Sequence, residues 1–270
     1  MNLLLCGDAG VIDGLKITLA SITKYNKEPL NVFLLTMDME YKQKKYHGIT
    51  KEQVEPIRSF LQGVNKDSQL HLIDVTELFL ANVPEVNMST RFTPMCMLRL
   101  LVDQVESIPD KLLYLDTDVI ARGDISTIYN TDIEDVEIAG VLDYYGSWFF
   151  RRNIFKRDYI NSGVLLMNMS LIKQTGLLAK CRERCATKEM FMPDQSALNK
   201  LAVYKKKLPR HFNEQRKTRS NTLIRHFTTT FRFFPRVKTV TVKPWELDRL
   251  HSVLKTYEYD EIIKEGMNIK

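Results

Sequence analysis

Asp116-Thr117-Asp118 follows directly on Leu112-Leu113-Tyr114-Leu115, an apolar run of strand length. Two carboxylates one residue apart at a strand end can reach one hard cation if the chain bends there, because an unbent pleat sends alternate side chains to opposite faces. Aspartate pairs are also common in turns, so the spacing alone leaves a metal site and a plain turn both open. Two more aspartates stand just beyond apolar runs: Asp8 after residues 3–6 and Asp143 after residues 138–142. Each could contact a ligand, and each could equally begin a turn or cap a helix. Arg99 lies among Leu98, Leu100 and Leu101 in a segment of helical pattern. A guanidinium in such company needs a partner, either an anionic ligand or a structural ion pair.

The elements that must position these groups are visible as apolar runs at 3–6, 32–35, 70–75, 112–115, 138–142 and 164–167, separated by segments long enough for helices. Leu15, Leu19 and Ile22 repeat at helical spacing. Thr50 with Gln53 forms a capping-box pattern, and Thr93-Pro94 places an N-cap before a proline suited to the first helical position. The alternation predicts an α/β chain with a mainly parallel central sheet flanked by helices. In such sheets ligands collect beyond the carboxyl ends of the strands, where Asp8, Asp116, Asp118 and Asp143 are expected to lie.

The chain has 270 residues, 44% hydrophobic and 27% charged, enough for one large domain with a sizeable core. No segment approaches the ~20 apolar residues of a membrane span, and the start lacks the basic residues of a signal peptide. A cytoplasmic location is expected. Cys6, Cys96, Cys181 and Cys185 offer no second close pair to complete a zinc site, so free thiols are expected. The formal charge of +6 is uneven, since residues 200–236 hold eleven lysines and arginines against Glu214. This stretch, led by Lys205, Lys206 and Lys207, should attract phosphate-rich partners. A nucleotide diphosphate and an anionic membrane surface rank ahead of nucleic acid. Beyond about residue 205 aliphatic runs give way to basic and aromatic residues, including Phe231, Phe233, Phe234 and Trp245. The expected organisation is a catalytic unit over 1–228 and a segment over 229–270 that closes the ligand edge.

Five stretches occur in one order: Tyr114-Leu115-Asp116-Thr117-Asp118, Asn161-Ser162-Gly163-Val164-Leu165-Leu166-Met167-Asn168, Pro193-Asp194-Gln195-Ser196-Ala197-Leu198-Asn199, His226-Phe227 and Lys243-Pro244-Trp245. Together they resemble the motifs of glycosyltransferase family 8, which includes glycogenin and bacterial lipopolysaccharide glucosyl- and galactosyltransferases. The resemblance implies a GT-A fold with a Rossmann-like nucleotide-binding sheet, a UDP-sugar donor, Mn²⁺ (with Mg²⁺ as the alternative), and transfer of a hexose to a glycan or lipid-linked hydroxyl with retention of configuration. It implies Asp116, Asp118 and His226 as metal ligands, which suits the chemistry of a hard cation that also accepts imidazole.

The same likeness places Asp8, Arg99, Asp116, Thr117, Asp143, Asn161 and Lys243 on the substrates, and Asp194 and Gln195 around the reacting sugar. Gln195 would support a developing oxocarbenium ion, because an amide is a poor nucleophile. The chain departs from the pattern twice. Ala9-Gly10-Val11 stands where relatives carry groups that hold the base, and an insert over 228–242 separates His226 from Lys243. Either the insert loops out and Lys243 returns to the phosphates, or Thr228, Thr229 and Arg232 take over that contact. The rival readings are a sugar-phosphate nucleotidyltransferase, whose usual basic Gly-rich loop Gly7-Asp8-Ala9-Gly10 lacks, and a non-catalytic binder of nucleotide sugars.

Overall fold

The computed structural model describes residues 1–90, 94–145, 158–232 and 238–270. Thr93, Phe233, Phe234 and Arg236, which carry a cap and part of the basic and aromatic stretch above, lie outside the described residues. All six apolar runs are strands. In chain order the strands are β1 (Asn2–Cys6), β2 (Asn31–Thr36), β3 (Met39–Tyr41), β4 (Lys44–Tyr46), β5 (Gln69–Asp74), β6 (Lys111–Leu115), β7 (Val119–Ala121), β8 (Ile138–Leu142), β9 (Ile160–Asn168), β10 (Lys205–Leu208), β11 (Ile224–His226), β12 (Thr230–Arg232) and β13 (Lys238–Val240). Seven form the central sheet in the order β10-β8-β9-β6-β1-β2-β5, and β11 pairs with β7, β12 with β13 and β3 with β4 outside it.

The central sheet is parallel except at β9, which runs antiparallel to both β6 and β8. This reversal decides where the site forms. Because β9 runs backwards, its first residues arrive at the edge where β6 ends, and the Asp116 amide donates to the Gly163 carbonyl at 2.8 Å.

Helices cover both faces, so the inner strands are buried along nearly their whole length rather than on alternate residues. Leu3 and Leu5 of β1 point into one core, Leu4 and Cys6 into the other. The first core is closed by α1 (Ile12–Tyr25) and α2 (Lys51–Val64). Thr50 and Gln53 make both bonds of the capping box on α2, and Val54, Ile57 and Leu61 line its buried stripe. The second core is closed by the segment Pro94–Gln104 and by the helices Leu177–Thr187 and Pro193–Leu201. Pro94–Gln104 is a 3-10 helix rather than the α-helix that its pattern suggests. The C-terminal helix Asp260–Met267 packs on α1 through Ile262 and Ile263, with Gly266 so close that a Cβ there would lie 2.6 Å from Ile17 Cα.

Candidate functional site

The bend required of Asp116-Thr117-Asp118 is held from α1. Thr18 Oγ1 lies 3.1 Å from the Thr117 carbonyl and 2.9 Å from that of Val119, so its hydroxyl is shared between the two sides of the bend. Gly14, one turn earlier, leaves room for both the Thr117 carbonyl and the Trp245 ring, which would lie 2.5 and 2.4 Å from a Cβ at that position. Beyond the bend, β7 pairs with β11 in a register that sets His226 opposite Val119, and the Phe227 amide donates to the Asp118 carbonyl at 3.0 Å.

His226 thereby meets both aspartates: its Nε2 lies 3.1 Å from Asp118 Oδ1 and 3.5 Å from Asp116 Oδ2. One ligand atom from each of the three residues lies within 4.8 Å of the others. Asp118 Oδ1 is buried and, among the described residues, receives no hydrogen bond. Gly163 forms the floor, since a Cβ there would fall 2.5 Å from Asp116 Oδ2 and 2.1 Å from His226 Cε1. A buried carboxylate oxygen without a donor, a second carboxylate and an imidazole nitrogen converging over a glycine fit a divalent cation. Burial works against charge on all three, yet their mutual attraction prevails: Arg99 and then His226 hold the Asp116 carboxyl well below the usual range, and Lys243 and His226 lower that of Asp118. Burial likewise opposes the His226 imidazolium, but the two carboxylates raise its pKa to about 9.

Arg99 is 4% exposed, and its guanidinium is committed to protein groups. Nη2 donates to Asp116 Oδ1 at 2.9 Å, Nη1 to the Ser162 carbonyl at 2.5 Å and Nε to the Cys96 carbonyl at 2.8 Å. Its Nε also lies 3.4 Å from Asp194 Oδ2, and the guanidinium sits 4.1 Å over the Tyr114 ring. Of the two roles open in the sequence, this geometry is that of the ion pair. Arg99 braces Asp116 and Asp194, and the Tyr114 hydroxyl adds a bond to Asp116 Oδ1 at 2.6 Å.

Asp143, Asn161, Asp194 and Gln195 are brought together and buried. Asn161 Nδ2 donates to Asp143 Oδ2 at 3.0 Å and to Gln195 Oε1 at 3.3 Å, and Gln195 Nε2 donates to Asp143 Oδ2 at 3.3 Å. Gln195 Oε1 also accepts from the Ser162 amide at 2.9 Å, while Ser162 Oγ lies 3.1 Å from Asp194 Oδ2. Lys243 reaches the site despite the insert, since Nζ bonds Asp118 Oδ2. Within the insert, β12 and β13 pair antiparallel, with Thr230 opposite Val240. Thr117 is buried, with its carbonyl accepting from Thr18 Oγ1 at 3.1 Å. Asp8 accepts from the Gly10 amide at 3.0 Å and caps the turn Ala9–Val11, which is its turn-forming alternative.

The lysine run, expected to attract phosphate-rich partners, does not present its three side chains on one face. Residues 205–207 form edge strand β10, whose pleat sends Lys206 to the face opposite Lys205 and Lys207. Lys205 is also taken up by Asp158 at 2.7 Å and by the Asn199 carbonyl at 2.9 Å. Arg210 and Arg219 pair with the buried Glu214 at 2.7 and 3.5 Å, and Arg225 is buried against the carbonyls of Glu214 and His226. The residue that motif reasoning missed is Asn213. It is fully buried, its Oδ1 lies 3.1 Å from His226 Nδ1 and its Nδ2 bonds Asn161 Oδ1 at 2.9 Å. Only its contacts reveal it, because a lone asparagine in a basic stretch has no spacing signal.

Among known proteins, the model of the family described as "Glycosyl transferase family 8" matches residues 2–246. Glycosyltransferase GlyF of Streptococcus pneumoniae is 26% identical over 200 residues, which is 73% of this chain and 44% of that protein. Lipopolysaccharide 1,2-glucosyltransferase of Escherichia coli is 25% identical over 213 residues, 74% of this chain and 58% of that protein. The chain thus spans about half the length of these curated relatives. LgtC, solved as an active-site mutant, superposes with a TM-score of 0.73 at 17% identity, covering 98% of this chain and 95% of that one. The galactosyltransferase LgtC in complex with donor and acceptor sugar analogs gives a TM-score of 0.67 at the same 17% identity and the same coverage. The architecture is therefore the GT-A fold.

Proposed function

The chain belongs to glycosyltransferase family 8, and from that premise we propose that it is a retaining, metal-assisted hexosyltransferase. It moves glucose or galactose from a UDP-sugar to a hydroxyl of a glycan or lipid-linked acceptor. The observation that carries this reading is the convergence of Asp116, Asp118 and His226 around the buried, undonated Asp118 Oδ1. These three residues would hold Mn²⁺, or Mg²⁺ in its place, and the ion supplies Lewis-acid stabilisation of the charge that builds on the departing diphosphate.

The remaining work falls to the chain's own side chains. Lys243, now on Asp118, lies close enough to turn its ammonium toward a diphosphate. Asn161 and Asp194 bind hydroxyls of the hexose, Asp143 meets the sugar or the acceptor, and Thr117 and Asp8 serve the nucleoside. Arg99 keeps the Asp116 and Asp194 carboxylates in place. Gln195 Oε1 stabilises positive charge at the anomeric carbon without bonding to it, since a neutral amide oxygen is a weak nucleophile. The acceptor hydroxyl then enters on the face from which UDP leaves. The carbon–oxygen bond to UDP breaks, the new one forms on the same side, and the hydroxyl proton passes to a departing phosphate oxygen.

The test is a panel of UDP-sugars assayed for UDP release with Mn²⁺ and with the metal removed by chelation. Release from UDP-glucose or UDP-galactose that needs the metal and is lost in Asp118→Asn supports the reading. Tight UDP-sugar binding without release would make the chain a binding protein instead.

A further inference from the structure

Asn213 is delivered to the site by backbone bonds rather than by chance packing. The turn Arg210–Phe212 closes with the Asn213 amide on the Arg210 carbonyl at 3.1 Å. The next residue then runs beside β11, with the Glu214 amide on the Ile224 carbonyl at 2.9 Å and the His226 amide on the Glu214 carbonyl at 3.0 Å. The Asn213 amide group thereby stands between the His226 ring and the Asn161 side chain, wholly buried.

The polarity of this chain of bonds can be derived from one donor whose direction is fixed by covalent structure. The Gly163 backbone N–H donates to one atom of the Asn161 amide at 3.0 Å, so that atom must be the oxygen. The Asn213 atom facing the same oxygen at 2.9 Å must then be its nitrogen, and the atom it turns to His226 must be its oxygen. An amide oxygen only accepts, so His226 Nδ1 carries a proton, and in the neutral ring the lone pair is on Nε2. Nε2 is the atom that faces Asp116 and Asp118. The other half of Asn161 donates to Asp143 and Gln195.

We propose that Asn213 is a positioning residue that fixes the tautomer and ring orientation of His226 for the metal and joins the metal ligand to the sugar-binding group of Asn161, Asp143 and Gln195. This deepens the function proposed above and rests on its metal site. Outer partners of ligand histidines typically change metal affinity by about 10–100-fold when removed. Asn213 differs from a simple outer partner in using both ends of its amide. Its oxygen serves the metal site and its nitrogen serves the sugar site, so the two functions can be separated by substitution.

The experiment follows Mn²⁺ binding to the full chain by the loss of the free-ion electron paramagnetic resonance signal at fixed UDP, together with the transfer rate at saturating Mn²⁺. It compares the wild type with Asn213→Ala, Asn213→Asp and Asp118→Asn. Asn213→Ala should weaken Mn²⁺ by about 10–100-fold. Asn213→Asp keeps an oxygen for Nδ1 but presents a second oxygen to that of Asn161, so it should hold Mn²⁺ within about threefold of wild type while slowing transfer by about tenfold or more. If Asn213→Ala does not fold, Asn213→Ser, whose hydroxyl is too short to span the gap, takes its place with the same expected loss. Mn²⁺ binding by the Ala or Ser variant equal to wild type would overturn the role of Asn213 alone, as would equal losses in the Ala and Asp variants. Wild type that binds Mn²⁺ no better than Asp118→Asn would instead overturn the metal reading.

Discussion

Asp118 divides its two oxygens between different partners: Oδ2 bonds the Lys243 ammonium, while Oδ1 lies beside His226 Nε2 without a hydrogen bond. Asp118→Asn keeps the shape of the side chain and removes the charge that both partners face. It should lower Mn²⁺ affinity by at least about tenfold and transfer by about a hundredfold or more, with near-ultraviolet circular dichroism unchanged. Full activity with unaltered metal dependence would defeat the assignment. Gln195 sits at the other end of the site, 4% exposed, with its Oε1 accepting from the Ser162 amide. Gln195→Ala should reduce kcat by about 10²–10³-fold, the scale of one lost electrostatic contact, and leave measurable turnover. A trapped glycosyl adduct on Gln195 would show a double displacement instead. At this scale the spacing of Asp116 and Asp118 left a turn and a metal site both open, and it was the ordered set of family-like motifs that singled out these two residues together with Asp194 and Gln195. The sequence was silent on Asn213, and it left Arg99 ambiguous, because both depend on partners far along the chain.

At the scale of elements, the decisive feature is the antiparallel entry of β9 beside β6. Apolar runs reveal that a strand exists but carry no direction, so six strands were legible and the reversal at β9 was not. Strand β10 was illegible for the opposite reason, since three lysines on an edge give no hydrophobic period. Gly163 shows what the reversal achieves. It lies opposite the bend after β6, and the ring of His226 occupies the space a side chain would need. Gly163→Ala should therefore push His226 away from the aspartates, weakening Mn²⁺ binding by about tenfold or more while leaving strand pairing in place. Parallel Mn²⁺ titrations of the two proteins measure this directly. Equal affinities would mean that His226 moves aside freely and that the glycine is not a geometric requirement of the site.

Across the whole molecule, the net charge of +6 stands, but the run of basic residues over 200–236 is less uniformly cationic than its count suggests, because Lys205 pairs with Asp158, and Arg210 and Arg219 with Glu214. No described helix is long and apolar enough to cross a membrane. The far end of the chain contributes in a way composition did not suggest. Beyond Lys243 and Trp245 it adds Tyr259, Ile262, Ile263 and Ile269 to the same core as Leu15 and Leu19 of α1. Gly266 of the last helix presses on Ile17, and the next residue, Thr18, holds the carbonyls on both sides of Asp118. Gly266→Val would place branched carbon against the α1 backbone, where overpacking costs about 1–3 kcal/mol. In a chain of this size that should lower the thermal midpoint by about 2–10 °C. Because α1 carries the clamp on the bend, Mn²⁺ affinity of the folded variant should fall as well, though less than in Gly163→Ala. Thermal unfolding with and without Mn²⁺ separates the two effects, since at a fixed concentration bound metal raises the midpoint further the more tightly the folded site holds it. A variant with a lower midpoint but the full Mn²⁺-induced rise would show that the last helix stabilises the core without supporting the site. An unchanged midpoint would mean that the helix shifts on α1 at no cost and that its packing is not part of the core's stability.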